Sequence, residues 1–160
     1  METVRYLGVH LDTKLSGVRH AKKAAEKAAK HTIALRGIAR SSWGVGLEHM
    51  LQLYKAVILP KLSFACSTWY CPYATYGHKG TRDDVLRKAQ QAQHDGLRAA
   101  SGAIKQTALA AIEAELHVRP IQNKLEQDAI NTATRIIGSP VFELIRRIRE
   151  DTRGTARYRP

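Results

Sequence analysis

The residue pair best suited to chemistry is Asp83-Asp84, flanked by Arg82 and Arg87. Neighbouring carboxylates can hold a divalent cation or divide acid and base roles. At the start of a helix, however, two acids are more simply explained by the positive end of the helix dipole. Cys66, Cys71 and His78 raise the question of zinc, but the set lacks a fourth ligand at short spacing and matches no finger or ribbon. The other histidines, His10, His20, His31, His49, His94 and His117, are scattered and form no His-x-Glu or His-Glu-x-x-His unit. Gly44 and Gly46 are not followed by the Lys-Ser/Thr of a phosphate-cradling loop. The expectation is a chain with no catalytic centre, no metal and no cofactor.

The residues that do share a pattern are cations. From Ser16, a plausible N-cap, small apolar residues recur at Val18, Ala21, Ala25, Ala28, Thr32, Leu35 and Ala39, the spacing of a helix with one buried face. Away from that face stand Arg19, Lys22, Lys23, Lys27 and Lys30, with Arg36 and Arg40 further along and Glu26 as the single acid of the stretch. Like charges three and four apart repel by a few tenths of a kcal/mol per pair unless an anion lies across them. The whole chain carries 26 Lys and Arg against 14 Asp and Glu, net +12, with a pI near 10.1. An excess of this kind suits a polyanion, because each neutralised phosphate releases condensed counterions. A merely solubilising surface is the competing explanation. Residues 1 to 80 hold 12 cations and 4 acids, net +8, against 14 and 10, net +4, in residues 81 to 160. The first half is therefore the better candidate for a nucleic-acid face.

These cations need a scaffold, and 160 residues suffice for one ordinary domain or two small helical lobes. The apolar content leans on alanine and only 6% of residues are aromatic, which favours helices over strands. The fold expected is mainly α, a helical bundle in two lobes with a short N-terminal β-strand. Residues 1 to 15 contain that strand, Val4 to Leu11, which turns at Asp12-Thr13 and lacks an evident partner. Residues 16 to 76 form a basic lobe: the first helix, a break at Ser41 to Gly44, a second helix over about 47 to 59, and a third opened by Pro60 and reaching Trp69. The core face of the second helix is Leu47, Met50, Leu51, Tyr54 and Val57 or Ile58.

Cys71 to Gly80 reads as a link. Residues 77 to 150 form a second lobe with helices over about 81 to 100, 107 to 116, 121 to 137 and from Pro140 to Glu150; in the first of these Val85, Leu86, Ala89, Ala92 and Leu97 face inward. Residues 151 to 160, with Arg153, Arg157 and Arg159, read as a basic disordered tail. Two cysteines are too few for a disulfide framework, nothing at the N-terminus reads as a signal peptide, and no apolar run approaches the ~20 residues a membrane helix needs. An intracellular location without a membrane partner is expected.

Several segments together resemble one family. Tyr6-Leu7-Gly8-Val9-x-Leu11-Asp12, then Leu15 and His20, is similar to the segment that leaves the palm of non-LTR (LINE-type) retrotransposon reverse transcriptases and enters the thumb. Leu53-Tyr54-Lys55-Ala56-Val57-Ile58-Leu59-Pro60-Lys61-Leu62, with Trp69 after it, resembles a further part of the same region. Leu97-Arg98-Ala99-Ala100-Ser101-Gly102-Ala103, then Thr107, Ala110, Glu115 and Pro120, resembles the helical connection that precedes the ribonuclease H domain in these polyproteins. The chain departs from the pattern at Phe64-Ala65, where the family often has Tyr-Gly, and at Ala108, where it often has proline.

The resemblance implies a thumb and connection fragment of an RNA-directed DNA polymerase. The palm aspartates of that family lie upstream of the Tyr-Leu-Gly-Val segment in an aromatic-x-Asp-Asp turn, which Arg82-Asp83-Asp84 is not. It further implies a nucleic-acid-binding role for Arg19, Lys22, Lys23, Lys27 and Lys30, more weakly for Arg36 and Arg40, toward RNA, DNA or an RNA-DNA hybrid. A basic helical surface suits an A-like duplex read through phosphates and shape. A separate palm domain is a second partner to consider, and nuclear residence would follow from how such elements integrate. Two other readings stay open: a helical protein-interaction module that uses the strand edge at Tyr6, Leu7 and Val9, and a decayed retroelement remnant that binds no nucleic acid.

Overall fold

The computed structural model describes residues 3–13, 16–39, 44–71 and 83–156, with the side chains of residues 84 and 152–156 excepted. The fold is mainly α with a short β element. At the N-terminus the expected single strand is in fact a hairpin: β1 (Thr3–Tyr6) pairs antiparallel with β2 (Val9–Asp12), Tyr6 opposite Val9 and Thr3 opposite Asp12. Leu7 and Gly8 form the two-residue turn with φ of 46° and 85°. Both central residues have positive φ, as the turn favoured between right-twisted strands requires. The strand thus finds its partner inside its own run of β-formers.

Beyond the hairpin, Asp12 accepts bonds from the Ser16 N–H at 2.8 Å and the Ser16 hydroxyl at 2.5 Å. Helix α1 (Val18–Ile38) follows, with Gly17 rather than Ser16 at the cap position. Gly17 has a φ of 68°, and a Cβ there would lie 2.3 Å from the Cβ of Trp69. Only glycine lets the chain enter α1 against that tryptophan. The buried face of α1 includes Ala21, Ala28, Thr32 and Leu35, as the spacing indicates, and adds His20 and Ala24.

Helix α2 (Leu47–Leu53) passes through a π-turn (Tyr54–Ile58) directly into α3 (Leu59–Leu62). Pro60 therefore does not open a new helix. It lacks an N–H, and its ring crowds the carbonyl four residues back; in the widened turn Leu59 N–H donates to the Tyr54 carbonyl five residues back, which carries the helix past the proline. Met50, Tyr54, Ile58 and Leu62 are buried, whereas Leu47, expected in the core, is exposed together with Glu48 and His49, so the buried face of α2 begins only at Met50. The segment to Trp69 is not one helix either: a turn at Ser63 to Ala65 precedes the short α4 (Cys66–Trp69). Ala65 adopts left-handed angles, φ 52° and ψ 31°, at the position where the resembling family often has glycine.

Helix α5 (Asp83–Ser101) packs along α1 and also touches α2, the π-turn, α6 (Leu109–Glu115) and α7 (Ile121–Ile137). Gly96 permits the approach: a Cβ there would meet the Tyr54 ring at 2.8 Å. The buried Gln93 donates through its amide nitrogen to the Arg119 carbonyl at 2.8 Å and accepts from the Ile121 N–H at 2.6 Å, so it ties α5 to the start of α7. The lobe boundary expected near residue 76 lies outside the described residues, as does all of the 71–80 link but Cys71. Helices on its two sides contribute to a common buried cluster that includes Leu35, Tyr54, Leu97 and Leu125. Helix α8 (Pro140–Ala156) continues beyond Glu150 into the segment expected to be disordered; residues 157–160 lie outside the description. Its apolar residues Val141, Leu144, Ile145 and Ile148 are exposed.

Candidate nucleic-acid interface

The face of α1 opposite the core is set by the 3.6-residue period: with His20, Ala24, Ala28 and Leu35 turned inward, Arg19, Lys22, Lys23, Lys27 and Lys30 must turn outward, and all five are exposed. Glu26 lies among them and accepts a bond from Lys23 at 2.9 Å. Its carboxyl is held below the ordinary carboxylate range, first by that bond and the Lys23 charge, then by Lys30 and by Lys88 from α5. One acid thus sits within a field of several cations, and Lys88 extends the basic surface beyond α1. Arg36 points elsewhere. It is exposed but lies 3.9 Å from Asp95 on α5 and lines a separate hollow with Arg98 and Lys105. Arg40 is outside the described residues. The structure therefore gathers the first five predicted cations on one face and sets Arg36 apart from them.

Packing adds cations that sequence spacing could not connect. A cleft of about 490 Å³ opens between the hairpin, α1 and α3, with Arg5, Lys23, Lys27 and Lys61 around it and no carboxylate among the described residues of its lining. Arg5 comes from a strand and Lys61 follows the helix-carried proline, so neither shares a local pattern with α1. Only the turn at Leu7-Gly8 and the π-turn before Pro60 bring them together.

At the floor of this cleft His20 fastens the hairpin to the helices. Its Nδ1 accepts the His10 backbone N–H at 3.2 Å, and its Nε2 lies 3.1 Å from the Phe64 carbonyl. A carbonyl only accepts and an amide N–H only donates, so the two partners fix the neutral Nε2–H tautomer. Burial pushes the imidazole below its ordinary value of 6.5, with the charges of His10 and Lys27 adding to the effect against the Phe64 bond. Trp69 Nε1 donates to the same Phe64 carbonyl at 3.1 Å.

Cys66 is buried with its sulfur 3.9 Å from the Leu125 carbonyl, and burial raises its thiol pKa. His78 and the side chain of Asp84 are outside the described residues. Among the described residues no group of three or more His, Cys, Asp or Glu could hold a metal ion, and no helix is long and apolar enough to cross a membrane.

Compared with known proteins, the chain is 38% identical over 69 residues, 43% of its length, to a retrovirus-related Pol polyprotein from the type-1 retrotransposable element R1 4 of Nasonia vitripennis. The chain carries a retrotransposon Pol-related region. The match spans only 18% of that polyprotein, so this chain corresponds to less than a fifth of its Pol relative. No family model and no solved structure matches.

Proposed function

We propose that this Pol-related chain is a non-catalytic fragment of a retrotransposon reverse transcriptase, equivalent to its thumb and connection, that grips the sugar-phosphate backbone of template and primer. The observation that carries the reading is the exposed face of Arg19, Lys22, Lys23, Lys27 and Lys30 on a helix with one interspersed acid. Helix cations at fixed spacing meet phosphates along a groove without reading bases, and an A-like duplex offers backbone and 2′-hydroxyls in its shallow groove. Arg5, Lys61 and Lys88 widen this surface. The partner is RNA, DNA or their hybrid, bound with little sequence preference. RNA-directed DNA synthesis belongs to the parent enzyme, which supplies the palm aspartates.

Two experiments test the reading. Cross-linking to a photoreactive RNA-DNA hybrid should label peptides within residues 19–30 in preference to those of α7. A primer-extension assay with Mg²⁺ should show no nucleotide incorporation by the chain alone; template-dependent extension would contradict the non-catalytic assignment.

A second reading has one observation in its favour. Val4, Tyr6 and Leu7 at the hairpin are 67%, 64% and 81% exposed, an apolar edge suited to strand addition by a protein partner such as a separate palm domain. Binding of the chain to an isolated palm, lost on Tyr6→Lys, would favour it. A remnant with neither role would bind neither nucleic acid nor palm.

A further inference from the structure

The cleft between hairpin, α1 and α3 differs in kind from the open cation face. Its rim is basic, with Arg5, Lys27 and Lys61 from three elements, while Lys23 is already engaged by Glu26. One wall is apolar, built from Val57, Pro60 and Phe64, and Phe64 remains 47% exposed. A volume of about 490 Å³ falls in the size class of small-molecule pockets rather than that of a single-ion seat. A strand running across the protein would meet cations spaced along its path; here Arg5, Lys27 and Lys61 line one cleft, and among the described residues none of the three has an ion-pair partner. That concentration suits the near double charge of a phosphate monoester better than the single charge of an internal phosphodiester. The exposed aromatic ring beside it suits a base, which any nucleotide can stack there.

We infer that this cleft seats a strand-terminal nucleotide, its phosphate monoester held by Arg5, Lys27 and Lys61 and its base laid against Phe64. The inference rests on the nucleic-acid reading and deepens it, since it gives the surface an end as well as a track. Lys22 and Lys30 lie outside the cleft lining and serve as controls.

The test uses the full chain and three single-stranded oligonucleotides of one sequence, carrying a 5′-phosphate, a 3′-phosphate or neither. One phosphorylated form should bind at least about tenfold more tightly than the unphosphorylated strand, the effect of gaining charge-assisted contacts, and the form that does so identifies the end recognised. The preference should vanish in Lys27→Gln/Lys61→Gln and persist in Lys22→Gln/Lys30→Gln, although overall affinity falls in both. Lys22, Lys27 and Lys30 are exposed and Lys61 is half-buried, and circular dichroism checks that the variants stay helical. Equal binding of all three oligonucleotides, or a preference that survives Lys27→Gln/Lys61→Gln, overturns the terminal seat while leaving the backbone grip intact. If no oligonucleotide binds, the grip itself fails. The cleft is then decided by adenosine monophosphate against adenosine in calorimetry: binding of the nucleotide alone sustains the seat, and binding of neither overturns it.

Discussion

His20 holds the hairpin to the helical body through two bonds that only the neutral ring can make together, so its replacement and its protonation should have related effects. His20→Ala removes two neutral hydrogen bonds, about 1 kcal/mol each. It also leaves a hole beside Phe64 and Trp69, whose ring centroids are 5.9 and 6.4 Å from that of His20. Bonds and cavity together give a loss of about 2–4 kcal/mol. For a chain of this length the melting temperature should fall by about 5–15 °C. His20→Gln retains an acceptor and a donor and should cost about 1 kcal/mol.

Because burial holds the folded pKa of His20 below 6.5, the unfolded chain takes up the proton first as the solution is acidified. The stability that His20 contributes is therefore complete above pH 6.5 and is lost as pH falls from 6.5 toward the lowered folded value. Chemical denaturation of wild type and His20→Gln at steps from pH 7.5 to 5 reads this directly. The wild-type advantage should shrink below pH 6.5, with a common background from the other histidines. Parallel profiles for the two proteins, or a His20→Ala loss under about 0.5 kcal/mol, would refute the latch.

Ala65→Gly should stabilise the chain by about 1 kcal/mol, because Ala65 holds left-handed angles that glycine adopts freely; calorimetric melting checks the sign. Gly17→Ala should cost well over 2 kcal/mol, since the added Cβ collides with Trp69 and the backbone angle is unfavourable to it; a variant that melts with wild type would contradict the tight entry into α1. Gln93→Leu should lower stability by about 2–4 kcal/mol, as it strips the Ile121 N–H and Arg119 carbonyl of their partner. Hydrogen exchange should then quicken first at the start of α7.

The long helices were legible because their apolar residues recur at the helical period over many turns: α1, α5 and α7 stand close to where composition and spacing put them. The hairpin was not, because a turn with both central φ values positive is usually announced by Asn-Gly, and Leu7-Gly8 hides it inside a run of β-formers. Pro60 signals a helix start in sequence, and only the widened turn before it allows continuation. The α1 cations were readable for the same reason as the helix. Arg5 and Lys61 were not, since they join that surface through the hairpin turn and the π-turn, two features of backbone geometry that leave no periodic trace. His20 looked like one scattered histidine among several, because its partners are main-chain groups of residues 10 and 64.

The proposed function is a grip of the outer face of α1 on a nucleic-acid backbone. It is tested most directly by binding a labelled RNA-DNA hybrid over a range of salt concentrations, with wild type and with Lys22, Lys23, Lys27 and Lys30 all changed to Ala. Alanine preserves helix formation, so the variant loses charge without losing α1. Wild type should bind with a steep salt dependence, and the variant much more weakly, with a log-log salt slope reduced by roughly one per lysine removed. Equal affinity and equal slope for the two proteins, or no binding by wild type at low salt, would contradict it.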